Sequence, residues 1–173
     1  NKGLLNLNPI SLENNEENKE FLASWFASLV AFSKNPVPQN KLDLIPEIIN
    51  KIYELNVSNF AEACEVFNNN ETLIIYNKLK IWSTGKLSHV FSSDTEVNWD
   101  DRIMAFNFSE IIDQKPVVIP IVNYLLYQIE SRLDEKPAII VLSEAWSLVN
   151  NIIFAPQMSN FLTRMKRKNC VVI

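Results

Sequence analysis

The chain has 173 residues, 47% of them hydrophobic and 21% charged, with 16 basic against 20 acidic side chains and a net charge of −4. This is the composition of a soluble globular domain with enough apolar material for a core, and its negative charge gives a nucleic-acid backbone little to hold. Two glycines, Gly3 and Gly85, are too few for a phosphate-cradling loop or a dinucleotide fingerprint, and one histidine with two cysteines excludes a zinc ribbon, a C-x-x-C redox site or a disulfide framework.

From the first residues, Gly3 to Asn8 read as a short strand stopped by Pro9, which withdraws a ladder donor. Asn14 or Asn15 then caps a helix whose first turns carry Glu16, Glu17 and Glu20, favourable at the positive end of the dipole. Phe21, Leu22, Trp25, Phe26, Leu29 and Val30 recur at three- and four-residue spacing and define its core face. The run Asn35-Pro36-Val37-Pro38 ends it.

The spacing of Leu44, Ile45, Ile48, Ile49, Ile52 and Tyr53 predicts a second helix over 41–55. Helices over 60–67 and 71–82 follow, separated by Asn68-Asn69-Asn70, with Gly85 as a left-handed C-terminal stop. The three-part organisation expected is 1–13 as strand and entry loop, 14–91 as an all-helical subdomain, and 92–173 as an α/β core.

In that last part, 102–108 reads as a strand and 116–133 as a helix with Ile121, Leu125, Ile129 and Leu133 in line. Ala138 to Leu142 is an uninterrupted apolar run, the pattern of a strand covered on both faces. A helix over 154–168 and a strand over 170–173 complete an alternation that predicts a parallel sheet with crossover helices. No apolar stretch approaches the length needed to cross a bilayer, and no secretory leader is evident. Beginning at Asn1 and ending in a strand, the chain reads as an excised piece of a longer protein, with Cys64 and Cys170 reduced.

The residues best suited to chemistry follow the buried run 138–142. Ser143-Glu144 stands where a strand of a nucleotide hydrolase delivers two acidic groups to the carboxyl edge of its sheet, one for the hydration shell of Mg²⁺ and one for the attacking water. Glu144 supplies the second group. Ser143 occupies the first position without a charge, which makes a weaker magnesium contact than a carboxylate.

Three ordered stretches carry a resemblance. Gly3 to Pro9 with the acidic, Asn-rich cap and the helix through Phe26 form the first; Ala105-Phe106-Asn107-Phe108-Ser109-Glu110-Ile111 form the second. The third joins Tyr124 to Glu130, Pro137, Ser143-Glu144-Ala145-Trp146 and Arg164 to Asn169. Together they resemble the ATPase domain of the CagE/TrbE/VirB family of type IV secretion and conjugative-transfer systems, over nearly the whole chain except the helices around 40–90.

The resemblance implies an α/β fold: part of a RecA-like P-loop NTPase parallel sheet with an inserted all-helical subdomain, lying between Walker A and the end of the Walker B region. It implies ATP and Mg²⁺ as cofactors of the complete protein, with Glu144 catalytic, Ser143 a degenerate Mg²⁺/ATP position in place of the family's Asp, and no metal ligand among these residues. It implies other secretion subunits as partners, a homo-oligomer, and a cytoplasmic place at the inner face of the bacterial inner membrane, reached through partners, while the net charge of −4 argues on its own against direct nucleic-acid contact.

Two functions fit that pattern: an ATP-hydrolysing motor that drives assembly or export, of which this chain alone is inactive, or a degenerate subunit that serves as scaffold. Trp146 reads as a core residue just past a strand, His89 as a loop or helix-end residue, and Arg164, Lys166, Arg167 and Lys168 as cations placed for the helix dipole on a solvated face.

Overall fold

A computed structural model describes residues 7–31, 35–91, 99, 102–109, 111–134, 136–143 and 154–173. The chain forms two compact units, Asn1–Met104 and Ala105–Ile173. The first strand predicted over 3–8 falls mostly outside the described residues.

The first unit is helical: α1 (Glu16–Ala31), α2 (Gln39–Leu42), α3 (Ile45–Glu54), α4 (Phe60–Glu65) and α5 (Leu73–Ser83). Asn15, rather than Asn14, caps α1, its Oδ1 accepting from Asn18 N at 2.8 Å, and Asn59 caps α4 the same way through Glu62 N at 2.9 Å. The helix predicted over 41–55 is broken at Asp43-Leu44 into α2 and α3. Pro46 is the reason: without an N–H it suits the first turn of a helix, so it starts α3 instead of continuing α2.

The inward faces of α1, α4 and α5 meet in an aromatic cluster. The Trp25 ring stands edge-on to Phe26 (5.3 Å between centroids), Phe60 (5.8 Å) and Phe91 (5.1 Å), while Phe26 stacks on Phe60 at 5.7 Å. Ile45, Ile49, Ile52, Ile75 and Leu79 enclose this unit's core with 0–1% exposure. The helix spacing seen in the sequence therefore selects the buried face correctly.

Asn56 (φ 51°) and Asn169 (φ 52°) hold the left-handed positions among the described residues, and Gly85 does not. Asn56 closes α3 in a Schellman arrangement, with Val57 N donating to Ile52 O at 3.2 Å and Asn56 N to Tyr53 O at 3.1 Å. Gly85 is needed for space rather than for φ. Its N–H reaches Lys80 O at 2.7 Å, and a Cβ there would lie 2.7 Å from Ile81 Cα and 2.9 Å from Lys80 O. Because those neighbours are backbone, Gly85→Ala is expected to destabilise the chain by about 1–3 kcal/mol, read as a lower urea midpoint; an unchanged midpoint would mean that the turn relaxes freely.

The second unit contains α6 (Lys115–Arg132), β1 (Ala138–Ile140), α7 (Phe154–Arg167) and β2 (Cys170–Val172). Pro116 sits in the first turn of α6, while Pro120 lies inside the helix, which stays continuous. Its residues from Val117 to Val122 are all buried, so this segment is covered all round rather than along the single line predicted from Ile121, Leu125, Ile129 and Leu133.

β1 and β2 pair in parallel with Ala138 opposite Cys170, Ile139 opposite Val171 and Ile140 opposite Val172, and α7 links them as the helix of a βαβ unit. The pair has one apolar face in the open: Ile139 is 70% exposed, Val141 69%, Val171 56% and Ile173 71%. The run 138–142 is thus a parallel strand, as predicted, but it is not covered on both faces: alternate residues of a strand point to opposite faces, and Ile139 and Val141 on one of them are exposed.

The strand predicted over 102–108 joins no ladder among the described residues. Beyond it, Ile111 N and Ile112 N donate to Phe108 O at 2.9 and 2.8 Å, while Asn107 Oδ1 accepts from Ser109 N at 2.9 Å. Apolar alternation marks strand-forming capacity, but a ladder also needs a neighbouring strand in place. No helix among the described residues is long and apolar enough to cross a membrane.

Candidate functional site

The carboxyl end of β1 is the place where the sheet presents polar groups. The ladder continues past the strand itself, Ile173 N donating to Ile140 O at 2.9 Å and Leu142 N to Ile173 O at 2.8 Å. Both strands therefore end together, and Ser143 follows at once as an exposed turn residue. Carboxyl edges of parallel strands are where α/β folds bind ligands, because side chains there converge beyond the last ladder bond. Glu144, Ala145 and Trp146 lie outside the described residues, as does Glu110.

The amino end of the same pair is fastened by the basic run. Arg164 of α7 forks onto Glu130 of α6, Nε to Oε1 at 2.5 Å and Nη2 to Oε2 at 2.8 Å, and Lys168 Nζ donates to the Glu130 carbonyl at 2.8 Å. The last turns of both helices are thereby tied where the chain enters β1 and β2. Two of the cations expected on a solvated face also serve as structural ties, Arg164 while remaining exposed, and Lys166 and Arg167 are exposed too. With Arg164 half exposed, the pair's coupling in a Glu130→Gln, Arg164→Gln double-mutant cycle should be about 1 kcal/mol, and a coupling near zero would make the fork incidental.

Along α6 a second polar row runs inward: buried Gln128 donates through Nε2 to Tyr124 Oη at 2.6 Å and accepts from Arg132 at both its carbonyl and its Oε1. Its one-turn spacing, Tyr124, Gln128, Arg132, is the sequence signal that could have revealed it. The Glu130–Arg164 pair is 34 residues apart and has no such signal.

The Asn8-Pro9 step of the first family-like stretch has a structural task. Asn8 is buried, its Oδ1 accepting from Ile10 N at 3.2 Å and its Nδ2 donating to Ser58 O at 3.0 Å. His89 is exposed on a 3-10 turn, Ser88–Val90. Burial pushes both thiols up, Cys64 the more strongly, with the Glu65 charge adding to it, so neither is an activated nucleophile. No group of three or more His, Cys, Asp or Glu among the described residues is placed to hold a metal ion.

No protein-family model matches the chain. The type IV secretion system protein virB4 of Bartonella quintana (strain Toulouse) is 25% identical over 166 residues, which are 94% of this chain and 21% of that protein. The conjugal transfer protein TrbE of Rhizobium radiobacter is 20% identical over 169 residues, 95% of this chain and 20% of that protein. The solved structure of VirB4 of Thermoanaerobacter pseudethanolicus superposes with a TM-score of 0.69 at 19% identity, over 98% of this chain and 73% of the solved one. The chain is a homologue of the VirB4 and TrbE proteins.

The VirB4 and TrbE relatives extend the likeness across almost the whole chain, including the helices around 40–90 that the motif resemblance leaves out. The VirB4 structure shares the fold in which α6, β1, α7 and β2 are set. The chain spans about a fifth of the length of the curated relatives it matches.

Proposed function

We propose that the chain is part of a secretion or conjugal-transfer ATPase and supplies the water-activating edge of its nucleotide site. The observation that carries this reading is the parallel β1–β2 pair with Ser143 immediately past the last ladder bond, beside homology to VirB4 and TrbE proteins. In this reading the pair belongs to a larger RecA-like parallel sheet, with 1–13 as its entry segment, 14–91 as the helical subdomain and 92–173 as the part bearing the degenerate Walker B strand.

Glu144 is the catalytic residue: its carboxylate accepts a hydrogen bond from the water that attacks the terminal phosphorus of ATP, orienting a lone pair toward it. The donor set at the preceding position is the neutral, exposed hydroxyl of Ser143, which fits a water-mediated contact to Mg²⁺ rather than a direct charged one. Mg²⁺ supplies charge neutralisation of the phosphates when bound, and here its hold comes mainly from the nucleotide. The ATP-binding loop, the partner subunits, a homo-oligomeric assembly and the station at the inner face of the inner membrane belong to the complete protein.

The neutral Ser143 favours a second reading, a degenerate subunit that binds its neighbours as a scaffold. ATP hydrolysis by the full-length protein separates the two. Turnover that is lost in Glu144→Gln supports the enzyme reading, with a drop of at least about a hundredfold expected for removing the group that orients the water. An inert protein that gains activity in Ser143→Asp supports the scaffold, and turnover indifferent to Glu144→Gln overturns the assigned role.

A further inference from the structure

The side chains of the β1–β2 pair do not specify how far one strand lies along the other. Residues 138–142 are Ala, Ile, Ile, Val and Leu, and 170–173 are Cys, Val, Val and Ile, with no charged group in either run. A slip of one residue exchanges the faces of a strand, but a slip of two returns an apolar side chain to every position of this pair. Because each residue of a strand advances roughly 3.3 Å, that slip would carry the end of β2 about 7 Å past Ser143. The register observed is nevertheless the one in which Ala138 meets Cys170 and both strands end together before Ser143.

The groups that can tell one register from another lie at the amino end and meet on Glu130. Its side chain, 14% exposed, takes the fork of Arg164, and a fork fixes direction as well as distance. Its carbonyl accepts twice: from Leu133 N at 3.3 Å, where α6 ends, and from Lys168 Nζ, where α7 ends. From Leu133 the chain runs through Pro137 into β1. After Lys168, Asn169 alone separates the end of α7 from β2, in the left-handed conformation, and its carbonyl accepts the first ladder bond from Ala138 N at 3.3 Å. One residue of α6 thus holds the approaches to both strands.

We infer that Glu130 is a positioning residue: it sets the register of β2 on β1 and, through that register, the place of Ser143 at the carboxyl edge. The inference rests on the reading of that edge as part of a nucleotide site, while the register itself can be read without turnover.

The test uses the full-length protein. Paired cysteines on the open face of the pair report the register: Ile139→Cys and Val171→Cys lie opposite one another, whereas Val141→Cys and Val171→Cys lie two residues out. Under mild oxidation the first pair is expected to form its disulfide at least about tenfold faster than the second. Glu130→Ala should slow the first pair at least about fivefold, since cysteines out of register are too far apart to bridge. Arg164→Gln, at a half-exposed position where the fold is not at risk, should do the same, and circular dichroism checks both variants. Arg164→Lys keeps the charge without the fork and should fall between.

In turnover, Glu130→Ala should lower kcat at least about tenfold and leave KM for ATP within about twofold, because the edge is displaced and the hold on the nucleotide is not. Disulfide formation unchanged in both Glu130→Ala and Arg164→Gln overturns the inference, whatever the turnover. So does an unchanged kcat in an enzyme that Glu144→Gln silences. Turnover that is absent, or indifferent to Glu144→Gln, overturns the nucleotide reading instead, and the disulfide rates then decide the register role alone.

Discussion

Trp25→Ala is expected to remove about 3–5 kcal/mol of stability, a large share of what holds a domain together. The side chain is 2% exposed and its indole touches Phe26, Phe60 and Phe91 edge-on, so truncation removes apolar burial and several ring contacts at once. The cavity cannot close easily, because its walls are contributed by α1, by α4 and by the segment at Phe91, which are fixed by their own packing. Urea titration followed by far-ultraviolet circular dichroism reads the loss directly. Trp25→Phe keeps an aromatic ring at the same place and should recover more than half of it. A midpoint for Trp25→Ala close to wild type would mean that the cluster is not the keystone of the first unit.

The second large effect concerns association. Ile139 and Val171 sit opposite one another in register on the open face of the β1–β2 pair, with Val141 and Ile173 on the same face. Parallel sheets are normally covered on both sides, and branched apolar side chains left in water favour contact with another copy. The isolated chain is therefore expected to show a mass that rises with concentration in light scattering. Ile139→Lys combined with Val171→Glu places opposite charges across the register and should return the chain to a monomer at concentrations where wild type is mostly associated. A monomeric wild type over the same range would count against it.

The sequence made the helices legible because burial repeats every three to four residues: Leu22, Trp25, Phe26 and Leu29 are buried as their spacing requires. Apolar spacing runs straight across Leu44 and Ile45 and hides the break there, for which Pro46, lacking an N–H, is the mark in the sequence. Gly85 was legible as a required glycine but not for its reason, because the close approach to the Lys80 carbonyl depends on how the chain turns at the end of α5, which composition does not record. The apolar run 138–142 identified a parallel strand but not its uncovered side, as coverage is decided by other elements. At the candidate site the position of Ser143 past the strand could be read from that run, whereas the fork between Glu130 and Arg164 could not, because it joins two helices brought together only by folding.

The bond from Asn8 to Ser58 has a consequence for the order in which the first unit assembles. It joins residues 50 apart, so it forms only after α1 and α3 have folded and packed between its ends. Until then the entropy of closing so long an interval weighs against it, by about 3 kcal/mol for a flexible chain of that length. The segment at Asn8 thus precedes α1 and α3 along the chain but takes its place after them, as a latch on helices that are already there. Unfolding should run in reverse, and amide exchange at Ile10, whose N–H bonds to the Asn8 side chain, should be faster than in α1 or α3.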